Sequence, residues 1–148
     1  MSLRLILFLA LLCRCGLAYA QTDDLPNAGD LAEATAKRFP QPVRVGDLLH
    51  RRVLEPVESQ PTLGRVRAVV KESDGTIAVI IDYYEGFLGL HTRPIAVPVN
   101  GMVLLGQFME VMDFEPDQLR KFPTFHPAGT KPLGPDAVIK VGLAKPAH

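Results

Sequence analysis

The sequence predicts a mainly β fold: a small antiparallel β-barrel of about six strands with a short helix on each side. Three observations predict it. Turn signals recur at short intervals, with Gly46-Asp47, Ser73-Asp74-Gly75 and Asn100-Gly101 separating runs of Val, Ile and Leu. From Leu63 to Lys71 apolar and basic residues alternate, the period of a half-buried strand. Thr76 to Tyr83 is apolar on both faces, which suits a central strand or one covered on both sides.

The elements follow in chain order. Arg4 precedes an apolar run from Leu5 to Leu12, and the small residues Ala18 and Ala20 flank Tyr19. This is the three-part pattern of a secretory signal, so residues 1–20 are expected to be removed after Ala20 and the chain exported. The apolar run is too short for a spanning helix, which takes about 20 residues. Residues 21–42 form a polar lead-in with a short helix. Asp30 and Glu33 stand as a capping box, and Pro40 and Pro42 stop the helix.

Residues 43–125 carry the predicted domain. Val43 to Val45 and Arg52 to Leu54 are short extended pieces. On the first long strand Val66, Ala68 and Val70 share one face, and Arg65, Arg67 and Lys71 the other. Asp74-Gly75 turns the chain into the central strand, and a glycine-rich loop follows at 84–92. Arg93 to Val99 puts Ile95, Val97 and Val99 on one face. Pro94 and Pro98 on the other place it at a sheet edge or interrupt it. Asn100-Gly101 reads as a hairpin turn into Met102 to Leu105, followed by Phe108 to Met112. Glu115 to Lys121 reads as one or two helical turns, with Pro116 at the first helical position. Residues 126–148 are rich in Pro and Gly and read as a mobile tail, with Val138 to Leu143 as a marginal strand.

Both cysteines, Cys13 and Cys15, lie in the segment expected to be cleaved. The mature chain then has no disulfide, thiolate ligand or cysteine nucleophile. Its charge is nearly balanced: removing Arg4 and Arg14 leaves 14 basic against 16 acidic residues, a net of −2. With no basic tail either, a nucleic-acid partner is not expected.

No catalytic, metal or cofactor set is assigned. His50, His91, His126 and His148 are scattered and make no metal-binding spacing. No nucleophile elbow or phosphate loop is present. Asp82 and Glu85 flank two tyrosines, and paired carboxylates do acid–base work only where one is desolvated. The loop region is the candidate contact surface. Tyr83, Tyr84, Phe87, Leu88, His91 and Arg93 crowd together with Leu90, Gly86 and Gly89. Tyr and Arg are enriched at binding hot spots; the competing reading is that Phe87 and Leu88 cap the open end of the barrel. Arg51, Arg52, Arg65 and Arg67 form either a basic stripe for an acidic partner or lipid headgroups, or the solvated face of a strand, with Glu55 and Glu58 near enough in sequence to neutralise it.

Several short motifs recur in a family-like order. They are Gly46-Asp47-Leu48-Leu49 leading to Val53, Leu63-Gly64-Arg65-Val66, Asp74-Gly75, Gly86-Phe87-Leu88-Gly89, Arg93-Pro94-Ile95-Ala96-Val97-Pro98, and Asp117 to Pro123. In this arrangement residues 43–125 resemble the PRC-barrel family, named for the H subunit of the photosynthetic reaction centre. The resemblance implies a small β-barrel that works by contact. Better-known members lie against a membrane photosystem or bind a ribosomal protein, both on the cytoplasmic side, so neither partner transfers to an exported chain.

The expectation is therefore a non-catalytic module for protein interaction or assembly in the cell envelope, periplasmic on family grounds. Its partner would be another envelope protein, and peripheral membrane association is left open. Two alternatives stand beside it. One is a small-ligand-binding or envelope-stress protein with a pocket near Tyr83 to Arg93. The other is a cofactor-free hydrolase using Asp82 or Glu85.

Overall fold

The computed structural model describes residues 38–86 and 89–144. The expected signal peptide and the helix of the lead-in lie outside the described residues. The strands are β1 (Gln41–Arg44), β2 (Arg52–Leu54), β3 (Thr62–Glu72), β4 (Ile77–Glu85), β5 (His91–Pro98), β6 (Met102–Leu105), β7 (Phe108–Val111), β8 (Thr130–Pro132) and β9 (Val138–Leu143). Two short helices, α1 (Val45–Leu48) and α2 (Pro116–Lys121), stand after β1 and β7.

The fold is mainly β, but its sheet is mixed and open rather than a closed antiparallel barrel. The strand order is β1-β9-β6-β7-β2-β3-β4-β5, with β8 added beside β3. Two neighbouring pairs, β2 with β7 and β6 with β9, run parallel. β1 and β5 end the path. Nine strands occur among the described residues where about six were expected, and two of them, β8 and β9, come from the C-terminal segment.

Residues 126–148 were expected to be a mobile tail with only a marginal strand at Val138 to Leu143. That strand is β9, and it inserts between β1 and β6, with Ile139 and Val141 in the main core. Its inward residues, Ile139, Val141 and the adjacent half-buried Val43 of β1, supply an apolar face that prolines before and after it do not interrupt. Burying two such side chains contributes roughly 3–6 kcal/mol. That is comparable to the whole net stability of a small domain, about 5–15 kcal/mol.

The two-faced apolar pattern of β4 is explained by cover on both sides. Val79, Ile81 and Tyr83 enter the main core, while Ala78 and Ile80 join Val70 in a second cluster. Phe125 packs on that second cluster, held there by its amide donating to the Pro94 carbonyl at 2.7 Å.

β3 does not keep the strict alternation expected for it. A register shift between Val66 and Ala68 leaves Arg67 as an extra residue, so Val66 and Val69 face the main core and Ala68 and Val70 the second cluster. Asn100-Gly101 also departs from expectation. It closes a 3-10 turn, Val99–Gly101, not a hairpin, because β6 pairs with β7 and β9 and not with β5. The Gly46-Asp47 turn is taken up into α1. β5 stands at the sheet edge, as its prolines allow. The Pro94 carbonyl points away from β4, so Pro94 and Pro98 occupy outward positions where a missing amide breaks no ladder bond.

Candidate functional site

The β4–β5 hairpin sets Tyr83 opposite Arg93, Tyr84 opposite Thr92 and Glu85 opposite His91. Residues directly opposite share a face, so Tyr83 and Arg93 stand side by side on the inner one. Tyr83 is buried in the main core. The Arg93 guanidinium carbon lies 5.7 Å from the centre of its ring, a cation–π distance.

Arg93 is held on every side. It donates to the Glu85 carboxylate, to the Phe122 carbonyl and, at 3.2 Å, to the Arg120 carbonyl. The last two belong to the end of α2, where unpaired carbonyls and the negative helix pole favour a cation. α2 is fixed at its other end by Gln118, whose side-chain oxygen accepts from the Glu115 amide at 2.8 Å. Leu119 and Phe122 bury its apolar side, with Phe122 edge-on to Phe114 at 5.1 Å. Arg93 thus locks the hairpin to α2 and is spent on that task; neither it nor Tyr83 is a free surface group.

What remains outward is the tip. Gly86 and Gly89 both have positive φ, +75° and +60°, and the Gly89 amide donates to the Gly86 carbonyl at 3.3 Å. Gly89 packs over Tyr84, which is half-buried. Leu90 is 76% exposed and His91 is exposed beside it. Phe87 and Leu88 lie outside the described residues.

An open cleft of about 560 Å³ lies at the foot of the tip, lined by Glu55, Tyr83, Tyr84, Glu85, Gly86 and Arg120. Glu55 and Arg120 come from distant parts of the chain, and nothing in the sequence pattern assigned them to the loop. Glu55 enters because the segment after β2 folds back, with the Glu55 amide donating to the Pro61 carbonyl at 3.0 Å. Arg120 is turned toward Asp117 at 2.6 Å.

The carboxylates proposed for acid–base work are not brought together. Asp82 and Glu85 have opposite strand parity. Asp82 pairs with Arg67 at 3.3 Å, and Glu85 with Arg93. The arginine set is divided as well. Arg51 donates to the Asp47 and Gly106 carbonyls at 2.5 and 2.8 Å, a backbone clamp that joins α1 to the β6–β7 turn. Arg52 and Arg65 stay exposed on the outer face, in direct register. Among the described residues no group of three His, Asp or Glu side chains is placed to hold a metal ion. Likewise, no helix among them is long and apolar enough to cross a membrane.

Sequence reading also passed over Arg38. Its guanidinium grips Asp113 with both nitrogens, and its carbonyl accepts from the Leu143 amide at 3.0 Å. The lead-in is thereby tied to β9 and to the segment after β7. No motif announces a pair 75 residues apart.

Neither a scan against protein-family models nor a search of curated proteins finds a match for this chain.

Proposed function

We propose that this chain is an exported, non-catalytic β module that docks on another protein of the cell envelope through the tip of the β4–β5 hairpin. One observation carries the reading: a locked base bears an exposed tip. Arg93 ties the base to α2, while Leu90 and His91 stand free beside two glycine turns. Binding loops held on a rigid scaffold have this construction. Of the six candidate residues, Phe87 and Leu88 lie outside the described residues, and the other four divide by task. Tyr83 and Arg93 hold the platform, and Tyr84 and His91, with Leu90, present the surface.

Kinship with the PRC-barrel family belongs to the same proposal. A single core cluster takes residues from β2 through β7 and from β9, as the inner face of a strongly curled, barrel-like sheet would. Removal of residues 1–20 is part of it too: N-terminal sequencing of the exported protein should begin at Gln21. A retained Met1 overturns export by this signal. The small-ligand reading is less well supported, because the cleft is open rather than enclosed.

In-cell crosslinking of the tagged chain beside its Tyr84→Ala, Leu90→Glu double variant tests the docking. A discrete envelope protein captured by the parent and lost by the folded variant supports it. Equal capture by both moves the contact elsewhere.

A further inference from the structure

We infer that the outer face of β2 and β3 is a second interaction surface, built for an acidic helical segment of a partner protein. It is distinct from the hairpin tip and does not depend on it. Arg52 and Arg65 are cross-strand partners, so their side chains leave the sheet about 5 Å apart on one face. Like charges placed directly opposite destabilise a sheet. The next residue in this row, Asp82, is opposite Arg65 but is taken by Arg67, which the bulge in β3 brings alongside. Arg65 reaches only the His50 carbonyl, at 3.4 Å. The Arg52 side chain makes no hydrogen bond or ion pair among the described residues. The face therefore carries two exposed arginines that form no ion pair among the described residues, on backbone positions set in register by the ladder beneath them, with Asp82 as their nearest acid along the row.

Guanidinium forks match carboxylates in both geometry and charge. Two carboxylates one helical turn apart have Cβ atoms about 5–6 Å apart, close to the arginine spacing. On a strand, same-face neighbours are nearer 7 Å apart. A lipid surface fits less well. The exposed large apolar residues, Phe39, Leu90, Met112, Val138 and Leu143, all lie off β2 and β3. Two basic groups without an apolar anchor give only weak membrane binding. Nucleic acid would need many more phosphate contacts.

The test is fluorescence anisotropy of the full-length chain with an Ala-rich helical peptide bearing Glu at positions i and i+4, at low salt. The peptide should bind at least tenfold more tightly than its Gln analogue, and Arg52→Gln, Arg65→Gln should abolish that difference. The charge-matched variant Arg44→Gln, Lys140→Gln, on the exposed side of β1 and β9, should keep it. Thermal melting of the Arg52→Gln, Arg65→Gln variant should occur at the same temperature as the parent or higher, since like-charge repulsion is relieved. Equal binding of the Gln peptide, or equal loss in both variants, overturns the inference. So does a lower melting temperature, which would make the arginines structural. Arginine-dependent binding to phosphatidylglycerol vesicles without peptide binding also overturns it, by assigning the face to a membrane.

Discussion

Arg93 shows how one side chain can be read in two ways until its partners are known. An arginine beside aromatic residues suggests a hot spot, yet here the guanidinium is consumed by two helix-end carbonyls, a carboxylate and a tyrosine ring. Arg93→Lys keeps the charge and loses the fork. It should lower stability by about 1–3 kcal/mol in urea denaturation, with no change in β content by circular dichroism. Gly64 is constrained in another way. A Cβ there would lie 2.2 Å from the Asp82 carbonyl oxygen, in backbone that cannot swing aside. Gly64→Ala should therefore cost about 1–3 kcal/mol or more, as overpacking does. Asp74 gives a pH-dependent test. Hydrogen bonds from Thr76, including its amide at 2.8 Å, hold the Asp74 carboxyl below its ordinary 3.8. The hairpin contact is thus fully present above 3.8 and is lost as pH falls through the lower folded value. In an NMR titration the Thr76 amide should shift with a midpoint below 3.8, and Asp74→Asn should remove that transition.

At the scale of elements, the molecule depends on its last strand. A chain ending at Asp136 loses β9, leaving β1 without its partner and β6 without one neighbour. It should fail to show a cooperative thermal transition. The strands β2 to β7 were legible as successive segments, as was α2 with Pro116 at its first turn, because local turn chemistry and alternation carry that information; their neighbours in the sheet were not. β9 was not legible as a core strand. The prolines and glycines around it raise the local signal for a tail, and only pairing with β1 and β6, about 97 and 39 residues away, makes Val138–Leu143 a core strand. The shift in β3 was hidden for a related reason. Val66, Ala68, Val69 and Val70 satisfy either parity, and the choice falls to the partner strand β4. The edge position of β5 was legible because Pro94 and Pro98 each remove a donor, whatever the partner.

At the scale of the whole molecule, one open mixed sheet packs a main core on one side and a smaller cluster on the other, and the proposed contacts fall on its rim and outer face. The sequence marks the hairpin as a candidate contact region through its crowd of aromatic residues and glycines. The division between locked base and exposed tip was not legible there, because it depends on α2 arriving beneath Arg93 from 27 residues downstream. Glu55 and Arg120 were unforeseen in the cleft for the same reason. The central claim is that the tip meets a partner. It is tested most directly by a photo-reactive amino acid placed at position 90 of the full-length chain in living cells, with the same residue at the exposed position 131 of β8 as the reference. Docking through the tip predicts a single defined protein adduct from position 90 and none from position 131. Equal, diffuse labelling from both positions, with the protein folded and abundant, would contradict it.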